Sequence, residues 1–288
     1  MNNTLGCIIV TYNPDEQRFE KVLDSISKQC DKILIIDNNS SNLKYIKKIC
    51  EVDSRIKLTQ LEKNYGIARA LNIGINLLNR DPFDWILTLD QDSIVLGNIL
   101  DVLDNARVIY KNTNIGLISL NTQDTRCKDY FSETQYPIIS GSIINSDIFK
   151  KGLRYREEFF MDQVDFDFDI KISSLGYKMI ATSIRMLDHQ MGIKRLGMKK
   201  QIEPDWRLYL ISRNSFILLR EKKISLMMFI GQLMLWFIND LSNGKSLPKL
   251  YKYFIIYLFG IKDGAFHYME FPENNKSLKK IKSLLSNV

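Results

Sequence analysis

Neither of the usual phosphate-cradling loops occurs in this sequence. There is no GxGxxG and no GxxxxGK followed by Ser or Thr, which excludes the common dinucleotide fingerprint and a P-loop nucleotidase. Cysteine is sparse: Cys7, Cys30, Cys50 and Cys127 form no CxxC pair. That argues against a zinc site and a disulfide framework and reads as reduced thiols in a cytoplasmic protein. The N-terminal MNNTLGCIIVTYN has no basic n-region and no long apolar h-region, so no signal peptide is expected. Ile224–Ile238 is almost wholly apolar, but its fifteen residues fall short of the ~20 that span a bilayer. Repeats and low-complexity linkers are also lacking. Acidic residues thin out toward the C-terminus. From Lys194 onward there are 17 Lys and Arg against 7 Asp and Glu, a net of +10, whereas residues 1–193 carry 23 against 26. Such asymmetry suits a surface that meets an anionic partner, either nucleic acid or an anionic membrane face.

What is present is ordinary globular composition, 45% hydrophobic and 25% charged over 288 residues, enough for one large domain or a domain with an appendage. Short apolar runs alternate with helix-like stretches through the first 120 residues. Leu5–Val10, Lys32–Asp37, Ile56–Gln60, Trp85–Leu89 and Ile115–Leu120 read as strands. A helix is expected from Asp15 to about Gln29. Another is expected over Gly66–Asn79, where Ile67, Ala70, Leu71, Gly74 and Leu78 recur at i, i+3, i+4 spacing. This order predicts a mostly parallel α/β sheet covered on both faces. Polar residues follow the strands: Thr11 and Asn13, then Asp37 and Asn38, then Asp90 and Asp92. Ligand crevices of open α/β sheets lie at the carboxyl ends of strands, so these loops should converge. Residues 121–190 are less regular, with Ser140-Gly141, an acidic cluster at Asp162, Asp165, Asp167 and Asp169, a strand-like Tyr177–Ser183 and then Asp188-His189. Beyond that the chain reads helical, with an aromatic-rich Leu247–Gly260 and a basic Lys276–Lys282.

Each constellation has a functional reading and a plain one. Asp90-Gln91-Asp92 at a strand end suits a divalent cation and a ribose hydroxyl, or is a solvated turn. Asp37 can accept hydrogen bonds from a base or ribose, or can close an Asx turn with Asn38-Asn39-Ser40. Asn64-Tyr65-Gly66 with Arg69 can receive a diphosphate at a helix N-terminus, or Asn64 simply caps the helix. One of the acids interleaved with Phe160, Phe166 and Phe168 can be a partly buried base. The others would then be structural. His189 can ligate metal or phosphate near Asp92, or be a structural histidine. The apolar C-terminal helix can be core, a dimer face or an interfacial membrane helix, and Lys222, Lys223, Lys245, Lys249 and Lys252 favour an anionic leaflet.

Taken in order, Thr11-Tyr12-Asn13, Asp37-Asn38-Asn39-Ser40, the run from Asn64 through Arg69 to Gly74, Leu89-Asp90-Gln91-Asp92-Ser93, Ser140-Gly141, Phe159-Phe160-Met161-Asp162-Gln163-Val164-Asp165, Gly176-Tyr177, His189-Gln190-Met191-Gly192 and Arg213-Asn214 resemble the inverting family 2 glycosyltransferases of the GT-A fold. The DQDS, MDQVD and HxxG forms are most similar to bacterial rhamnosyltransferases of surface polysaccharide synthesis. The resemblance implies a Rossmann-like GT-A domain over 1–215, with a nucleotide-sugar half to about 120 and an acceptor half beyond it. A basic amphipathic helical extension over 216–288 would follow. It implies that Thr11, Tyr12, Asn13, Asp37, Asn64, Gly66, Arg69, Asp90, Gln91 and Arg213 bind the donor, and that Asp92 and His189 hold Mg²⁺ or Mn²⁺. Ser140 and Gly141 would lie on the acceptor side. Asp165 aligns with the base. Val164 stands where the family has Glu, and Asp162 is the alternative. The implied donor is dTDP-L-rhamnose, or another UDP- or dTDP-sugar. The acceptor would be a lipid-linked glycan of O-antigen, capsule or cell-wall synthesis. The protein would work in the cytoplasm, peripheral to the inner face of the plasma membrane through residues 222–282, with a homodimer as the other use of that surface. A nucleotidyltransferase would need a glycine-rich loop where TYNPDEQ stands. A nucleic-acid binder or scaffold, which the basic and aromatic residues near 249–257 would serve, would be indifferent to Asp92. No nucleic-acid partner is expected.

Overall fold

The apolar run Leu5–Thr11 forms β1, buried at every position, because both faces of a central strand are covered in an α/β sheet. The computed structural model describes residues 3–189, 205–242, 247–266, 275–277 and 279–280. They divide into two compact units, Met1–Glu157 with Phe168–Gln190, and Glu158–Asp167 with Met191–Val288. These break the chain at other points than the 1–215 and 216–288 partition expected above.

In the first unit α1 (Glu16–Ile26) follows β1, capped by Asp15, whose carboxylate accepts from Arg18 N. Then come β2 (Lys32–Asp37), α2 (Leu43–Cys50), β3 (Ile56–Gln60), α3 (Ile67–Leu78), β4 (Trp85–Asp90) and β5 (Ser93–Val95). After them are α4 (Ile99–Ile109), β6 (Ile115–Asn121), β7 (Phe131–Glu133), β8 (Ser142–Asn145), α5 (Ser146–Lys150), α6 (Val164–Ser174), which belongs to this unit from Phe168 on, β9 (Lys178–Arg185) and β10 (Leu187–His189). The eight-stranded sheet runs β3-β2-β1-β4-β8-β6-β9-β7. β1 pairs in parallel with β2 and β4, and β2 with β3. β8 enters antiparallel between β4 and β6, so the sheet is mostly rather than wholly parallel. β5 and β10 form a separate antiparallel ribbon. A core cluster that includes Phe19, Ile26, Ile35, Leu87, Ile118 and Leu187 lies in this unit, and Ile8, Leu71, Ile75, Leu78 and Phe149 are buried besides.

The expected strands and both N-terminal helices are present within a few residues. The correction concerns Asn64. The residue at the N-terminal boundary of α3 is Gly66, at φ 83° and ψ 170°, with no side-chain cap. This backbone region is open essentially to glycine alone. Asn64 Oδ1 instead accepts from Gly66 N at 2.9 Å, closing a local turn before the helix. All four cysteines are free thiols.

In the second unit α7 (Asp205–Arg220), α8 (Leu226–Ser242) and α9 (Leu247–Ala265) are helical as expected. Leu208, Tyr209, Ile211, Tyr253, Ile256 and Tyr257 form their core with Phe160. Among the described residues, no helix is long and apolar enough to cross a membrane. Gln190, Met191 and Gly192 of the His-Gln-Met-Gly motif, and residues 278, 281 and 282 of the basic tail, lie outside the described residues.

Candidate active site

Parallel pairing puts β1, β2 and β4 in register, Thr11 opposite Asp37 and Val10 opposite Asp90. The loops after three strands therefore start from one edge, where α/β sheets bind ligands.

The first two loops are sewn together. Thr11 Oγ1 donates to Asp37 Oδ1 at 2.8 Å, and Ser40 N donates to Asp37 Oδ2 at 2.9 Å. The Ser40 hydroxyl also bonds Asp37 Oδ1. Asp37 and Thr11 are fully buried. Asp37, expected to meet a base or ribose, is held by these bonds to its own loop and to Thr11 of β1. Asn13 takes a positive φ of 51°, which Asn tolerates better than most residues. Its Oδ1 accepts from Ser41 N and Oγ at 2.7 and 2.8 Å. Tyr12 is exposed, and its backbone is clasped by the Gln91 side chain, N to Oε1 at 2.7 Å and Nε2 to O at 3.2 Å. Gln91 thereby ties the first loop to the third. Asn38 braces the start of α3, its Oδ1 accepting from Tyr65 N at 3.2 Å and its Nδ2 donating to Gly66 O at 3.3 Å. Arg69 lies over the Tyr65 ring at 4.1 Å, with Lys63 5.1 Å from the same ring. This gives a basic edge beside a helix N-terminus, an arrangement that attracts anions.

Asp90, Asp92 and His189 come together, with one ligand atom from each lying within 4.8 Å of the others. β5 and β10 do this, because their antiparallel register sets His189 opposite Ser93. Ser93 Oγ is 2.7 Å from His189 Nδ1, and Asp92 Oδ1 is 3.5 Å from the same nitrogen. Burial disfavours charge on His189, but the Asp92 contact and the Asp90 and Asp92 charges outweigh it and hold its pKa above the ordinary value. Asp92 Oδ1 is buried and accepts no hydrogen bond. A buried carboxylate oxygen left without a donor is costly unless a cation serves it. Two carboxylates and an imidazole suit Mg²⁺ or Mn²⁺. The residues therefore fit a divalent cation.

Sequence reasoning missed Arg18. From α1 its Nε donates to Asp92 O at 2.8 Å and its Nη1 reaches Asp188 Oδ2 at 2.8 Å. The hydrogen bond from Arg18 lowers the Asp188 pKa against burial, and the charges of Arg18 and Arg185 add to it. Nothing in the local pattern of α1 marks this residue, since its partners are 74 and 170 positions away.

Ser140 and Gly141, expected on the acceptor side, adjoin the turn that begins at Asp90. Ser140 is buried and accepts from Asp90 N at 2.9 Å. Gly141 has φ +81°, and a Cβ there would fall 2.7 Å from Leu187 Cδ2. In the second unit Arg213, expected to close on phosphate, is buried and bonds the carbonyls of Glu158 and Phe159 at 3.0 and 3.5 Å. Asn214 Nδ2 adds bonds to the carbonyls of Phe159, Met161 and Asp162. Together they hold a segment in which Phe160, Asp162 and Gln163 all have φ near +60°. Strain of this kind persists where the surroundings enforce it, commonly at functional sites. Asp162 has its two oxygens 3.1 and 3.2 Å from Arg207 Nε. Asp167 pairs with Lys223 at 2.7 Å. Asp165 is partly buried, and burial raises its pKa despite hydrogen bonds from the Phe166 and Asp165 amides and the Arg207 charge.

A mostly parallel sheet whose carboxyl edge meets two carboxylates, with a histidine brought to them by a separate two-stranded ribbon, agrees with the GT-A fold of the solved structures it resembles. Residues 7–119 match the model of the glycosyl transferase family 2. The chain is 26% identical over 255 residues, 81% of its length and 85% of the relative, to dTDP-rhamnosyl transferase RfbF of Shigella flexneri. S. aureus TarS 1–349 superposes with a TM-score of 0.57 at 16% identity, covering 98% of this chain and 86% of that one. GalNAc-T7 with UDP, GalNAc and Mn²⁺ superposes with a TM-score of 0.56 at 14% identity, covering 92% and 58%. This chain is a glycosyltransferase, and its residues 7–119 are similar to the glycosyl transferase family 2.

Proposed function

We propose that the protein transfers L-rhamnose from dTDP-L-rhamnose to a hydroxyl of a lipid-linked oligosaccharide, with inversion, in the synthesis of a bacterial surface polysaccharide. The observation that carries this reading is the Asp90, Asp92 and His189 group in a chain related over most of its length to a protein named for dTDP-rhamnosyl transfer. Mg²⁺ or Mn²⁺ held by Asp92 and His189, with Asp90 beside them, would neutralise charge on the departing nucleoside diphosphate. Tyr12, Asn13 and Gln91 border the nucleotide, with Asp90 toward the ribose and Arg69 on the diphosphate side. Asp165 takes the acceptor proton. The attacking oxygen then displaces the diphosphate in line through an oxocarbenium-like state. Thr11, Asp37 and Asn64 act by fixing loops, and Arg213 by fixing residues 158–159.

A panel of nucleotide sugars with a synthetic lipid-linked acceptor tests the reading. Transfer from dTDP-rhamnose, abolished by EDTA and restored by Mn²⁺, is expected. TarS has been seen with UDP-GlcNAc, and transfer from that donor instead would retain the fold and mechanism but end the rhamnose assignment.

The second unit is read as the membrane-facing part, working at the cytoplasmic leaflet. α8 carries its apolar residues outward: Leu226, Met227, Ile230, Met234, Leu235 and Ile238 are exposed, Met227 to 84% and Leu235 to 69%. Gln232 turns to Ser215, which donates to it at 3.0 Å. Exposed Tyr251, Phe254 and Leu258 on α9, Lys222 and Lys262, and the net charge of +10 beyond residue 193 complement an anionic headgroup layer. Wild type is expected to float with vesicles containing anionic lipid, and Ile230→Glu with Met234→Glu to remain in the soluble fraction. Unchanged flotation of the double variant, or its conversion from dimer to monomer by light scattering, would assign the face to something other than lipid.

A further inference from the structure

Behind the carboxylates runs a continuous chain of hydrogen bonds through two buried hydroxyls. Asp90 N donates to Ser140 Oγ at 2.9 Å, Ser140 Oγ meets Ser93 Oγ at 2.7 Å, and Ser93 Oγ meets His189 Nδ1 at 2.7 Å. Ser93 is fully buried and Ser140 is 2% exposed, so both links are shielded from bulk water. We infer that Ser93 and Ser140 form a positioning relay that fixes the His189 ring, and with it the cation-binding geometry, from behind. The inference rests on the reading of Asp90, Asp92 and His189 as a cation site.

Three observations support it. Ser93 and His189 are cross-strand partners in the β5–β10 ribbon, so the contact is imposed by register rather than by a chance rotamer. Ser140 lies one residue before Gly141, whose N donates to Thr88 O at 2.8 Å and whose missing Cβ leaves room for Leu187 of β10. The loop is therefore clamped between β4 and β10, and its serine is held where it joins the turn after β4 to the histidine. Finally, a hydroxyl donates or accepts by rotating about its C–O bond, so the relay can hold Nδ1 in either protonation state. What it fixes is the plane and reach of the ring, as outer partners of metal-binding histidines do.

The test is Mn²⁺ titration in the presence of dTDP, read by electron paramagnetic resonance, on the full chain. Ser93→Ala is expected to weaken Mn²⁺ binding by ~10–100-fold, and Ser140→Ala to weaken it less. In a His189→Ala background Ser93→Ala should change the affinity by no more than about 2-fold, because the relay acts through the ring. Affinity within about 2-fold of wild type in both serine variants would overturn the inference. An undiminished loss in the His189→Ala background would do so as well. If Ser93→Ala does not fold, Ser140→Ala breaks the same chain one link away and decides it. Absence of Mn²⁺ binding by wild type would defeat the cation site and the relay together, whereas wild-type binding with unaffected serine variants would defeat the relay alone.

Discussion

Asp92→Ala should lower the rate of sugar transfer by on the order of 10³-fold, about 4 kcal/mol of barrier, without loosening the fold. The two halves of this expectation have separate physical origins. The rate effect follows from position. Asp92 contributes one of two carboxylates in the group that ends β4 and meets His189. Removing it leaves Asp90 and His189, one anionic ligand fewer for a cation that must offset a departing diphosphate. The absence of a stability cost follows from the bonds the side chain does not make. Oδ1 is buried and accepts no hydrogen bond, so alanine deletes a poorly satisfied acceptor. What holds the turn is backbone, since Arg18 Nε binds Asp92 O and alanine keeps that carbonyl. Alanine also gives up the 3.5 Å contact with His189, so the melting temperature should stay close to that of wild type, while Mn²⁺ no longer raises it. Retention of EDTA-sensitive transfer at near wild-type rate would remove Asp92 from the metal site. A fall in melting temperature large enough to account for the lost activity would make its role structural.

The contrast with Asp37 shows why only part of the site was legible in the sequence. Asp37 and Asp90 both end apolar runs, KILIID and WILTLD, and the pattern alone gives them equal claims. Their difference is tertiary. A hydroxyl from β1 and the Ser40 amide bond Asp37, whereas Asp90 and Asp92 meet a histidine 96 residues on from Ser93. Long strands were readable because short apolar runs such as Ile33–Ile36 and Trp85–Leu87, each ending in polar turn residues a few positions on, leave few alternatives. β5, β7 and β10 have three residues each and β8 four, too few for any period to show, and two of them build the histidine's side of the site. α8 teaches the converse. Ser225, Gln232 and Asn239 recur every seven residues and look like a solvent stripe, yet Gln232 bonds Ser215 and apolar residues face out. A helix with few polar groups shows which face is polar. Which face meets protein depends on where partners for those groups lie, and Ser215 is on another helix. Arg213 and Asn214 were visible as a motif, but their partners are main-chain carbonyls of residues 158–162, which carry no side-chain signature.

Asp165→Asn should abolish transfer and make the protein more stable at neutral pH. The reading of Asp165 as the base supplies the first expectation. Loss of a positioned base removes about 10²–10⁴-fold in rate. The raised pKa supplies the second. Burial pushes the Asp165 carboxyl above the ordinary value, and the amide bonds and the Arg207 charge only partly restore it. Between the unfolded pKa, about 3.9, and the higher folded one, the native chain binds more protons than the unfolded chain. Stability then falls as pH rises through that window, and the penalty is complete above it. Asparagine keeps the shape, never ionises and escapes the penalty. The stabilisation by Asp165→Asn should therefore be present at pH 7 and vanish below the unfolded pKa. In wild type, kcat/KM should rise with pH to a plateau, with a midpoint above that of an ordinary aspartate. Asp162→Asn should behave oppositely. That carboxylate pairs with Arg207 and is 10% exposed, so its loss removes a largely buried ion pair and costs stability while transfer persists. Thermal melts of the two variants from pH 3 to 8, beside initial rates with the donor and acceptor, separate the roles. An active Asp165→Asn with an inactive Asp162→Asn would exchange base and structural acid. An Asp165→Asn no more stable than wild type at pH 7 would show that burial does not charge the folded state the cost assigned to it.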